Sequence, residues 1–111
     1  MDERRRYERF DTLNFVYYVL QDNDSILTQD IGRTLDASAE GLLIQTHEPL
    51  VAGLRLQLSL ALADELLEAR GTVIHVGAEQ DGFYRSGVRL DDLDAHQQAQ
   101  YQRFLQGFIA A

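Results

Sequence analysis

Apolar and polar positions along this chain fall into two periods, one suited to strands and one, near the end, suited to a helix. Leu13 to Leu20 is rich in aromatic and β-branched residues and predicts a strand buried on at least one face. Asp22-Asn23-Asp24-Ser25 has the chemistry of a turn, and a second strand is predicted from about Ile26 to Leu35. Gly32 inside that strand points to a bulge or a close backbone approach. Asp36-Ala37-Ser38-Ala39-Glu40-Gly41 is too polar and too small for a strand interior and is predicted to be a loop. Leu42 to Thr46 resumes as a strand, and Pro49 with Gly53 marks the next connection. From Leu54 to Leu62 every second residue is leucine, the alternation of a half-buried strand. Ala61 to Arg70 is composed largely of helix formers, yet strands flank it. A hairpin turn near Ala63-Asp64-Glu65 is therefore preferred, with a returning strand from Glu68 to Val76. A polar loop from Gly77 to Gly82 and a strand from Phe83 to Leu90 follow.

The tail changes period. Tyr101, Phe104, Leu105 and Phe108 recur at i, i+3, i+4 and i+7, one face of a helix from about Asp94 to Ile109. Asp94 can cap it, with Gln97 three residues on to complete a capping box. That apolar face requires cover, so the helix is expected to be part of the fold. The fold class expected is mainly β: a small antiparallel six- or seven-stranded β-barrel with a C-terminal α-helix. One domain is expected, with residues 1–12 as a flexible arginine-rich arm and 13–111 as the barrel and helix. At 111 residues, 45% of them apolar, the chain can build a core without disulfide or metal staples.

Composition then narrows the chemistry. The chain lacks cysteine, and no apolar run is long enough to act as a signal segment or to span a bilayer, so a cytoplasmic protein with no membrane association is expected. His47, His75 and His96 lack the short spacings of zinc sites, and none of the serines sits in a Gly-x-Ser-x-Gly elbow. No catalytic residue, metal or cofactor is assigned, and an enzyme is not expected. A formal net charge of -8 disfavours binding to DNA or RNA polymers, which requires many phosphates to be neutralised at once. All ten basic residues are arginine, and four of them fall within Arg4-Arg5-Arg6-Tyr7-Glu8-Arg9. Such a cluster on an acidic chain suits a compact anionic ligand, because the guanidinium fork grips phosphate or a guanine edge.

Arg5 and Arg9 form an Arg-x-x-x-Arg motif ahead of the first strand. After a hairpin, Asp36, Ser38 and Gly41 form Asp-x-Ser-x-x-Gly. This pair of motifs, in this order, resembles the PilZ domain family, and the likeness extends over the whole chain. Gly71-Thr72-Val73-Ile74 and Arg85-Ser86-Gly87-Val88-Arg89-Leu90 are similar to its later strands. The resemblance implies binding of the bacterial second messenger cyclic di-GMP by Arg5, Arg9, Asp36, Ser38 and Gly41, and relay of the signal to a protein effector. Within it, the arginines clamp phosphate or guanine. Asp36 accepts from a guanine N–H or aligns an arginine, Ser38 donates or accepts, and Gly41 allows positive φ or close ligand approach. Arg4 and Arg6 fall outside the motif, and Glu8 inside it lowers the local positive charge. The arm is expected to become ordered when the nucleotide binds. The alternative is a PilZ-like adaptor that docks on a protein without nucleotide.

Overall fold

A computed structural model describes residues 14–62 and 64–108. The arginine arm with Arg5 and Arg9, the first residue of the expected first strand, Ala63 of the expected hairpin turn and Ile109 at the end of the expected helix lie outside the described residues. Six antiparallel strands form a closed barrel: β1 (Phe15–Asp22), β2 (Ser25–Ala37), β3 (Gly41–Thr46), β4 (Arg55–Ala61), β5 (Leu66–Val76) and β6 (Tyr84–Asp91). Around the barrel they run β1-β2-β3-β6-β5-β4, and β4 pairs back onto β1. One helix, α1 (Ala95–Gly107), follows.

The period-2 pattern explains which residues face inward. In β4, Leu56, Leu58 and Leu60 are buried while Arg55 and Gln57 are exposed. Val16, Tyr18 and Leu20 of β1 and Leu42 and Ile44 of β3 meet them inside the barrel. Burying each such side chain contributes roughly 1.5–3 kcal/mol. The strong helix formers after Ala61 do not make a helix. Ala61 pairs with Leu66, and the Leu62 N–H donates to Glu65 O at 2.8 Å, closing the expected hairpin. Pairing along β4 and β5, with Leu67 and Ala69 buried, outweighs local preference.

Gly32 takes one of the two forms expected of it, and the β2–β3 connection is shorter than the sequence pattern predicts. Gly32 keeps its place in the β1–β2 ladder, so it is not a bulge. It is a close approach instead: a Cβ there would lie 2.5 Å from Gln45 O of β3. β2 is irregular on either side of Gly32: Leu27 is skipped in the pairing with β1, and Leu35 is skipped in the pairing with β3, between Thr34 and Asp36. This β-bulge lets Asp36 and Ala37 pair with Leu43 and Leu42, so β2 runs two residues into the stretch expected to be loop. Gly41 at its other end already belongs to β3. Asp36 is exposed on the outer face, where a carboxylate in a strand keeps its hydration. Only Ser38-Ala39-Glu40 remains as the connection.

The helix begins as its sequence specifies. Asp94 Oδ1 accepts from Gln97 N and Gln97 Oε1 accepts from Asp94 N, both at 2.8 Å. Tyr101 and Phe104 are buried in the same cluster as the barrel leucines, with Leu105 and Phe108 packed against it. Gln97 Nε2 donates to Glu68 O at 2.7 Å, and Gln100 Nε2 donates to Glu65 Oε1 at 2.9 Å. Arg103 forms an ion pair with the same Glu65. These contacts bind α1 to the β4–β5 hairpin and β5. No helix among the described residues is long and apolar enough to cross a membrane.

Candidate functional site

Asp36, Ser38 and Gly41 come together at the β2–β3 connection, on the rim of an outward-facing concavity of about 430 Å³. Its floor crosses β3 and β6 through Leu43 and Gly87, Ile74 and His75 of β5 form the far wall, and Arg89 of β6 stands at its edge. The floor is open because Gly41 and Gly87 contribute no side chain, leaving Leu43 as its apolar surface. Gly41 pairs with Arg89 across the strands, and Leu43 pairs with Gly87. Gly41 is required by the neighbouring backbone: a Cβ would sit 2.0 Å from Val88 O. Positive φ, which the sequence left open for it, is not used; Gly53 and Gly82 are the glycines with positive φ. The close approach is made by β6.

The connection itself is held from several sides. Ser38 N donates to Gly41 O at 2.9 Å, and Leu90 N of β6 donates to Glu40 O at 3.2 Å. Ser38 Oγ donates to Glu40 Oε1 at 3.2 Å and accepts from Glu40 N at 3.3 Å. The Tyr101 hydroxyl of α1 donates to Ser38 O at 2.6 Å and approaches Gly41 O at 3.2 Å. Burial of that phenol, with a smaller contribution from the charge of Glu40, pushes its pKa up to about 12. Asp36 Oδ1 accepts from Ala37 N at 2.9 Å, which leaves its second oxygen facing outward without a partner among the described residues.

The entry of the chain into the barrel bears on the same rim. Asn14 O accepts from Thr34 N at 2.6 Å, so residue 14 lies beside the strand position two before Asp36. Arg5 and Arg9 precede this point and lie outside the described residues. Sequence reasoning missed Arg89 and the polar role of Tyr101. Alternation in β6 does put Arg89 on the same face as Gly87, but only the pairing of β3 with β6 brings that face beside Asp36 and Ser38. Tyr101 reads from the helical period as a core aromatic, and the period carries no information about where its hydroxyl ends.

The family model of the PilZ domain matches residues 3–107, almost the whole chain. The chain belongs to the PilZ domain family. Comparison with curated proteins and with solved structures gives no match. A PilZ domain is a non-catalytic binding domain, and the family is generally associated with cyclic di-GMP. The six-stranded barrel and the terminal helix agree with that membership. Among the described residues no group of three or more His, Asp or Glu is arranged to hold a metal ion.

Proposed function

We propose that this PilZ domain binds cyclic di-GMP through Arg5, Arg9, Asp36, Ser38 and Gly41, and that the bound state is read by a protein effector in the cytoplasm. The observation that carries the reading is the shared rim: Asp36, Ser38 and Gly41 border one open concavity next to the point where the chain enters the barrel. Arg9 lies five residues before Asn14, and five extended residues span about 17 Å at most. That reach allows both motifs to meet one ligand. The free oxygen of Asp36 suits the N1–H and N2–H donors of guanine. Beside a phosphate it would repel. Arginine forks suit guanine O6 and N7 or the phosphates.

One observation favours the alternative, an adaptor that docks on a protein without nucleotide. Glu40 lines the same concavity and accepts from the Ser38 hydroxyl, so a carboxylate stands where an anion must approach. On the nucleotide reading, an arginine of the arm pairs with Glu40 or displaces it from Ser38. Isothermal titration of the full chain with cyclic di-GMP separates the two. Saturable binding is expected, weakened at least about tenfold by Arg5→Ala, Arg9→Ala or Asp36→Ala, since charge-assisted contacts each contribute ~1.5–3 kcal/mol. No heat and no competition at any concentration would leave the adaptor.

A further inference from the structure

Arg89 belongs to neither motif, yet its guanidinium is set up for a ligand. It projects from the outer face of β6 at the edge of the concavity, with its side chain 56% exposed. Its Nε donates to Asp91 Oδ1 at 3.1 Å. The second oxygen of Asp91 is in turn fixed by the Thr72 hydroxyl of β5 at 2.6 Å. Partial burial alone would raise the Asp91 pKa, but the hydrogen bonds from Thr72 and Arg89 outweigh it and hold the carboxyl below its usual range. Asp91 is thus a charged, doubly anchored post. It fixes the plane of the guanidinium through Nε alone, and the two terminal nitrogens have no partner among the described residues.

An exposed ion pair of this kind contributes little to stability. Its surroundings give it another use. Gly41 is the cross-strand partner of Arg89, and Gly87 lies two positions before it, so neither places a side chain between the guanidinium and the floor. Asp36 and Glu40 make the β2–β3 rim of the concavity acidic, and Arg89, on the neighbouring β6, is the one arginine among the described residues lining it. A ligand that carries guanines and phosphates has to turn its anionic part away from that acidic rim.

We propose that Arg89 is a ligand-binding residue of this site and holds a phosphate oxygen of the cyclic dinucleotide with its terminal nitrogens; this rests on the nucleotide reading above. The ligand then lies with a guanine toward Asp36 and a phosphate toward β6. Asp91 acts as a positioning residue that presets the fork.

The test is calorimetric titration of the full-length protein, its Arg89→Ala and its Arg89→Lys variants with cyclic di-GMP, alongside phosphorus NMR of the bound ligand. Arg89→Ala is expected to weaken binding at least about tenfold, with an unchanged melting temperature because the side chain is exposed. Arg89→Lys keeps the charge but not the fork, and is expected to recover part of the affinity while moving the phosphorus resonance of the bound ligand. If the unaltered protein does not bind, the nucleotide reading fails and this inference with it. If it binds, and both variants match it in affinity and in phosphorus shift, the assignment of Arg89 alone is overturned.

Discussion

Replacing Tyr101 with phenylalanine removes one hydroxyl and leaves the ring, which stacks on Phe104 at 5.7 Å, in place. At neutral pH the loss is that of the bond to Ser38 O. Gly41 O keeps its partner in Ser38 N, and the Ser38 carbonyl, in an exposed connection, can turn to water. The expected cost is therefore about 1 kcal/mol, near the ordinary net contribution of one hydrogen bond. Alkaline pH changes the comparison. The phenol's pKa is raised from 10.0 to about 12 in the folded protein, first by burial and then by Glu40. A folded value above the unfolded one means that the fold retains a proton the unfolded chain has already released. This contribution to stability is complete below 10.0 and is lost as pH climbs toward about 12. By about pH 11 the loss amounts to ~1.4 kcal/mol, one unit's worth. Tyr101→Phe has no such proton to lose. The stability gap between the two proteins should shrink from about 1 kcal/mol at neutral pH, vanish between about pH 10.5 and 11, and be reversed by about 0.4 kcal/mol at about pH 11. Urea denaturation of both proteins across this range measures the gap directly, and titration of the other tyrosines cancels in the difference. A gap that stays constant to about pH 11 would refute the argument, because it would show that the hydroxyl ionises as freely in the fold as in the unfolded chain.

Cyclic di-AMP should bind at least about tenfold more weakly than cyclic di-GMP, since adenine lacks the N2 donor that Asp36 would accept and leaves site groups unpaired. A competition titration in which the two displace each other at equal concentration would count against the Asp36 assignment. Gly41→Ala should lower stability by roughly 1–3 kcal/mol and weaken nucleotide binding together, because its methyl must push β3 away from Val88 of β6. Thermal melting and titration of the same sample check both. Amide exchange across residues 1–12 should slow when saturating cyclic di-GMP is added, if Arg5 and Arg9 clasp the ligand; unchanged exchange in a protein that binds would remove the arm from the site.

The β4 leucines and the α1 aromatics were legible because each lies in a regular element with one buried face, where burial imposes a period. The capping box was legible because its two residues act within one turn. The bulge at Thr34–Asp36 was not, since one extra residue changes register without changing composition, and it moved Asp36 and Ala37 from loop to strand. Half of the candidate site, Asp36, Ser38 and Gly41, could be read from a short motif because the connection is local. Arg89 could not, because it reaches the concavity only through pairing of β3 with β6, a contact between residues far apart in the chain. That β6 crowds Gly41 could not be read either, as nothing in a motif reveals that Val88 lies against it.

The unequal strand lengths of the closed barrel constrain how any partner could recognise this protein. β2 outruns its neighbour: Arg33 to Ala37 pair with β3, but residues 25–32 pair only with β1. Leu66 to Ala69 of β5 likewise pair only with β4, and there α1 covers part of the edge, Gln97 and Gln100 donating to Glu68 O and Leu66 O. The overhang of β2 has no such cover among the described residues, so a backbone ladder could be extended along it. Main-chain pairing at that edge would be indifferent to nucleotide. Side chains at the rim of β2 and β3 are not, because one ligand seated there replaces part of what a partner touches. The two ends of one strand thus offer two kinds of recognition, and the exposed Ile31 lies on the end that a second strand could join.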